Sequence, residues 1–242
     1  MALRIGNRTF APGILTTAVT IVLAIALASL GRWQLERMRE KQALFAAFDA
    51  GSGETLHLSM VPPSEARRYQ RVSAIGRYDS AHQVLLDNMT HDGRAGFHVL
   101  TPLVIDAGRT VLVNRGWVPL GPSRQQLPDV AVGESERTVV GRLNELPAAG
   151  IELASAPPTG VWPRLISYPK MDELVAQLQR PLYPKVLLLD PDQPDGFARE
   201  WQAATFPPER HLGYAITWFA LAFTLFVIYI AANLRRAPPD ER

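Results

Sequence analysis

The sequence contains no cysteine. That excludes a disulfide framework, a thiolate metal centre and a cysteine nucleophile, and it leaves redox chemistry silent on the compartment. Charge of one sign is also scarce: 25 Lys and Arg against 23 Asp and Glu leave a formal net charge of +2. So small an excess gives no electrostatic footprint for nucleic acid. Motifs that announce common chemistries are missing too. No H-E-x-x-H, G-x-S-x-G or C-x-x-C occurs, and "GSGETL" at 51–56 has the glycines of a phosphate loop without its lysine. No spacing of Ser, His and Asp nominates a triad, which leaves a membrane-bound hydrolase as the weakest functional reading. There is no repeat of fixed period and no low-complexity tract.

What the chain does have is two long runs free of charge, residues 11–30 and 212–232. About 20 helical residues span the roughly 30 Å hydrocarbon core of a bilayer, and a soluble core helix rarely stays apolar on every side for so long. Both runs are expected to be transmembrane helices. Arg4, Arg8 and the "ALA" at 26–28 give the first run a competing reading as a cleavable signal. The apolar stretch from 14 to 30 exceeds the usual signal core of about 7–15 residues and favours an uncleaved anchor. Two spans put both termini on one side of the membrane. Arginines flank the spans on both sides, so the positive-inside rule leaves the orientation open.

Between the spans the pattern changes. Residues 32–48 continue helically out of the membrane, and residues 51–66 have the composition of a linker. Strands are expected at 69–79, 82–88, 96–106, 109–119, 137–144 and 183–190, with a tight hairpin at Ala107-Gly108. Met171, Leu174, Val175 and Leu178 follow helical spacing within a helix over 168–180. Pro-rich segments at 119–128, 157–163 and 207–208 punctuate the rest. The expected class is α+β: two transmembrane helices flanking a mostly antiparallel, β-rich soluble domain. The divisions are a tail over 1–10, a span over 11–31, the soluble domain over 32–210, a second span over 211–233 and a tail over 234–242.

Three candidate sites stand out. His82, His91 and His98 share one strand–turn–strand stretch, but spacings of nine and seven match no metal template. Within "NRGWVP" (114–119), Arg115 is either part of a strand end, with Gly116 turning the chain and Trp117 packed in the core, or an anion clamp. At the second span, His211, Tyr214, Ala215 and Trp218 fall at spacings that share one helix face, with Ala222 below. Tyr and Trp collect at headgroup level, so one account is an interfacial belt. The other makes His211 a ligand, since an ionisable group on a membrane helix is a functional candidate and neutral imidazole is a common axial donor to haem iron. The residues alone leave both accounts standing. Small faces, Ala24 and Ala28 against Gly213 or Ala220, are expected to pair the spans.

Four ordered stretches carry a resemblance: "GRWQLERMREK" (31–41), "YQRVSAIGRYD" (69–79), "GFHVLTPL…VLVNRGWVP" (96–119) and "HLGYAITWFALA" (211–222). Together they resemble the Surfeit-locus family of membrane proteins, which assist assembly of cytochrome c oxidase and related haem-copper oxidases. The likeness runs from about residue 14 to 234. It implies a two-pass protein of the bacterial inner (plasma) membrane, with a periplasmic domain and both termini cytoplasmic. It also implies non-enzymatic handling of haem a during maturation of oxidase subunit I, with haem a synthase a further possible partner. The family's haem-binding histidine matches His211, which would be the axial ligand of the iron. Tyr214 and Trp218 would wall the haem, and Arg210 and Arg115 are the arginines suited to its propionates. Trp33, Gln34, Arg37 and Lys41 match the family pattern without an assigned role. Thr217 stands where the family often has Gln. The alternative within this resemblance is a haem-free scaffold that docks oxidase subunits.

Overall fold

The computed structural model describes residues 3–5, 8–51, 53–105, 108–121, 126–147, 160–203 and 206–236. In chain order its elements are β1 (Leu3–Ile5), β2 (Arg8–Phe10), α1 (Ile14–Ala50), β3 (Leu56–His57), a 3-10 turn (Leu58–Met60), β4 (Arg71–Tyr78), β5 (Val84–His91), β6 (Arg94–Val104) and β7 (Thr110–Pro119). There follow β8 (Arg137–Asn144), β9 (Arg164–Ile166), α2 (Met171–Leu178), β10 (Leu182–Leu189), α3 (Pro208–Asn233) and β11 (Leu234–Arg236). The α+β class is as expected: two long apolar helices flank a strand-rich domain. The chain forms two compact units, Met1–Phe45 with Ala204–Arg242, and Ala46–Ala203.

The first unit holds α3 and most of α1. Both helices are long and apolar enough to cross a membrane, and only 6% of each apolar window is buried within the protein. A soluble core helix would be mostly covered; these helices fit a two-pass membrane protein. Beyond its apolar run, α1 carries Arg32–Glu36 and Arg37–Glu40 ion pairs at 3.0 and 2.5 Å, which add a little support to those turns. α3 begins on Pro207-Pro208, a proline at the first helical position whose missing N–H costs nothing there.

The helices run antiparallel. Gln34 faces His211 at one end, and the Thr17 and Tyr229 hydroxyls meet at 2.8 Å at the other. Covered positions recur along α3 at His211, Ala215, Trp218, Ala222, Leu225 and Tyr229, and along α1 at Thr17, Thr20, Ala24, Leu27, Gly31 and Gln34. Alternating steps of three and four are the 3.5-residue seam of knobs-into-holes packing. The expected small-residue pairing is corrected in detail. Ala28 and Ala220 are exposed, and a Cβ on Gly213 would meet nothing within 4 Å. Gly31 is the notch instead: a Cβ there would come within 2.8 Å of the Phe219 ring. Beyond the helix ends, β2 pairs antiparallel with both β1 and β11.

The second unit is an eight-stranded sheet, in the order β3-β4-β8-β10-β7-β6-β5-β9. A further β4–β6 pairing, through Arg77↔Val104 and Tyr78↔Leu103, closes β4, β8, β10, β7 and β6 into a ring. Most pairings are antiparallel; β10/β7, β5/β9 and β3/β4 are parallel. One apolar cluster includes Val72, Tyr78, Leu103, Val113, Leu143 and Leu187, and a second, Leu86, Leu100, Leu112 and Leu188, receives Leu174 and Leu178 from α2. β7 is buried along nearly its whole length, as a strand covered on both faces must be.

Several expected elements shift. α2 is shorter than 168–180, with Gln179 in the left-handed conformation (φ 51°) at its end. The strand expected at 82–88 extends to His91 through an irregularity between Leu86 and Met89, where Asn88 takes φ 60°. Residues 51–66 are not merely a linker: they hold β3 and the 3-10 turn, and Leu58 and Val61 join the core. Ala107 of the expected hairpin lies outside the described residues, as do 122–125 and 157–159 of the Pro-rich segments. Around that hairpin, β6 and β7 pair as expected, and Ile105 N–H donates to the Arg109 carbonyl at 2.8 Å.

Candidate functional site

His211 sits in the first turn of α3, at the end of the seam. Its Nδ1 lies 2.8 Å from Oε1 of Gln34 on α1. Its Nε2 is buried and has no hydrogen-bond partner. Among the described residues, five buried side-chain polar atoms share that condition. The others are Arg71 Nε, Tyr78 Oη, Thr110 Oγ1 and Gln177 Oε1, so His211 Nε2 is the one nitrogen able to offer a metal a lone pair. An orphaned buried polar group is costly, so its presence marks the position as one to explain.

The neighbouring expected residues divide. Trp218 shares the covered stripe with His211 and is half-buried. Tyr214 is 58% exposed and stands off that stripe; Ala215, one position on, takes the covered place. Arg210 is exposed, with its guanidinium over the Phe206 ring at 5.2 Å. Thr217 donates to its own helix, to the Gly213 carbonyl at 3.0 Å. On α1, Trp33 is half-exposed, and Arg37 is held by Glu40.

Arg115 lies in the other unit and is 2% exposed. Its Nε donates to the Asp195 carbonyl at 2.7 Å, and Nη1 donates to Gln83 Oε1 at 3.0 Å and the Val130 carbonyl at 2.8 Å. Phe197 and Tyr78 rings flank it at 4.9 and 5.7 Å. Burial holds its pKa below the usual guanidinium value. This is a correction to the anion-clamp expectation: the donors are spent on the protein's own carbonyl oxygens, tying three loops to β7. Gly116 next to it takes φ 108°, which favours glycine, and Trp117 is largely buried as a core plug.

The three histidines of the β-region are held separately. His82 Nδ1 lies 2.8 Å from Asp79, which Arg180 also grips at 2.9 Å. His91 packs on Trp117 at 5.2 Å between ring centroids. His98 faces Asn114 and Trp201, and burial, then repulsion by His91, lowers its pKa to about 4. Among the described residues, no three His, Asp or Glu side chains are grouped to hold a metal ion. The cavity lined by Tyr78, Asp79, His82, Glu134 and Arg180, about 490 Å³, has Asp79 held between His82 and Arg180.

The contact the residues alone did not reveal is Gln34 with His211. A signal was available: one follows the first apolar run, the other opens the second, and antiparallel spans bring those ends together. Fold and site define a class, a pair of membrane-type helices carrying a β-rich domain and ending in a buried imidazole. The SURF1 family matches residues 21–223, and the chain belongs to that family. It is 27% identical over 237 residues to a SURF1-like protein of Monosiga brevicollis, with 88% of each chain covered. A SURF1-like protein of Rickettsia felis is 24% identical over 231 residues, covering 89% of this chain and 95% of its own. Surfeit locus protein 1 of Xenopus tropicalis is 25% identical over 241 residues, covering 89% and 75%.

Proposed function

We propose that the chain is a membrane-bound, non-enzymatic assembly factor for haem-copper oxidase, which holds haem a through His211 and passes it to subunit I. Family membership supports the assembly role. The bare, buried Nε2 of His211 carries the haem reading. A neutral imidazole fits haem iron as an axial donor. Trp218, half-buried one seam step below Ala215, suits the face of an apolar macrocycle, and Tyr214 its exposed margin. Arg210, exposed and adjacent in the chain, suits a propionate. Arg115 has no part in it.

Haem is cargo in this reading, so its retention must be modest. A picomolar grip, about 16 kcal/mol, would not release it readily. One nitrogen ligand on a helix pair open to lipid suits a hand-over better than a closed pocket. Nε2 is covered, so neighbouring side chains move aside to admit the iron, which also favours brief occupancy. The β-rich domain then faces subunit I or haem a synthase. Domain and site lie on the extracytoplasmic side of the inner membrane, with both termini cytoplasmic.

The experiment is co-production with the enzymes of haem a synthesis, purification in detergent and an absorption spectrum. The wild-type protein is expected to carry haem a, and His211→Ala to lose most of it. Equal haem content and identical bands in the two proteins would overturn the axial role. Purification with oxidase subunits and no chromophore would favour the haem-free scaffold.

A further inference from the structure

We infer that Gln34 is the positioning residue that keeps His211 Nε2 a bare lone pair, aimed for iron. The inference rests on the reading of His211 as a haem ligand. It deepens that reading by assigning the other side of the imidazole.

A neutral imidazole carries one N–H, and which nitrogen bears it follows from the partner of the other. Here Oε1 of Gln34 faces Nδ1 at 2.8 Å. An amide oxygen only accepts, so Nδ1 holds the hydrogen and Nε2 the lone pair. The reversed arrangement turns the amide so that its nitrogen donates to Nδ1, and moves the hydrogen to Nε2. That would leave a buried N–H with no acceptor, because Nε2 has no partner. Orphaned buried backbone N–H groups are rarer in folded proteins than under-satisfied backbone carbonyls, and a buried imidazole N–H without an acceptor carries the same kind of desolvation cost. The first arrangement therefore wins, and it is the one a metal needs. Histidines that bind metals almost always donate their other N–H to a carboxylate or carbonyl, which fixes ring orientation and raises basicity.

The chemistry of the partner also matters. A carboxylate in place of the amide would draw the Nδ1 proton harder and make Nε2 a stronger donor. The neutral amide orients the ring and raises its basicity less than a carboxylate would, which suits cargo that must leave. The contact joins residues 177 apart, across both helices. The ligand is therefore set only when α1 and α3 are in register, a register held at the far end by Thr17 and Tyr229.

The test uses the full chain in detergent, with histidine ring nitrogens labelled with ¹⁵N. The sequence has five histidines, and His211→Ala assigns the relevant signal. Wild type is expected to show His211 protonated on Nδ1, and Gln34→Leu to move it toward the Nε2–H form. Titration with ferric protoporphyrin IX then follows. Gln34→Leu is expected to bind about 10–100-fold more weakly, the usual effect of losing such a support. Gln34→Glu is expected to keep the haem, with a midpoint potential below that of wild type. A His211 protonated on Nε2 in wild type overturns the proposal, as does Gln34→Leu with unchanged tautomer and affinity. Should Gln34→Leu lose helicity, Gln34→Glu decides: an unchanged potential sinks the idea. If His211→Ala binds as well as wild type, the ligand reading fails whatever the tautomer. If it loses haem while Gln34→Leu does not, only the role of Gln34 fails.

Discussion

Burial of His98 in β6 costs the protonated imidazole its hydration, and its pKa falls from 6.5 to about 4. The unfolded chain therefore binds the extra proton first. Between those values the unfolded state holds more protons than the folded one, so stability rises with pH. The contribution is fully present above pH 6.5 and disappears as pH falls toward 4. Its ceiling is about 3 kcal/mol, and about 2 kcal/mol is lost on going from neutrality to about pH 5. Denaturant titrations of the detergent-solubilised protein at about pH 7.5 and pH 5 should show that loss, and His98→Gln should show a flatter dependence. Equal slopes in the two proteins would mean that another group governs the acid limb.

At the scale of elements, legibility followed the range of the signal. α1 and α3 were readable because twenty uncharged residues in a row need no knowledge of a partner. β4, β6, β7, β8 and β10 were readable from local runs of β-forming residues. β3 and β9, two and three residues long, carry too little pattern and exist because β4 and β5 offer them edges. The role of Arg115 was hidden for a related reason: its acceptors come from residues 83, 130 and 195, which meet only in the fold. The covered face of α3 was legible at His211, Ala215 and Trp218, but Tyr214 was misplaced because the seam runs at 3.5 residues and bypasses it. Gly141 in β8 gives a test of the sheet. It lies between Val72 of β4 and Leu189 of β10, and a Cβ there would overlap the Leu188 carbonyl and press within 2.6 Å of Leu187. A backbone carbonyl inside a ring of strands has little room to yield. Gly141→Ala should cost about 3 kcal/mol, the upper part of the overpacking range, and lower Tm by about 6–12 °C for a domain of this size. Gly213→Ala, where the added methyl meets nothing within 4 Å, is the control and should leave Tm unchanged or slightly raised.

For the whole molecule, orientation in the membrane decides where any hand-over takes place. Gln34 and His211 both lie, along the chain, between a span and the unit Ala46–Ala203. In a two-pass arrangement, they and that unit therefore belong to one side of the membrane, and both termini to the other. Flanking arginines do not choose the side. The absence of cysteine makes the choice measurable, because any single cysteine introduced is the only thiol. Ser64, exposed in the β-rich unit, and Ala2, near the N-terminus, serve as the two reporters. If haem is handed over outside the cytoplasm, a membrane-impermeant maleimide should label Ser64→Cys in intact cells. It should reach Ala2→Cys only after permeabilisation. The opposite pattern would put His211 and the β-rich unit in the cytoplasm, and hand-over at the outer face would be impossible. Labelling of both positions without permeabilisation would break the two-pass arrangement itself, and with it the antiparallel register that brings Gln34 to His211.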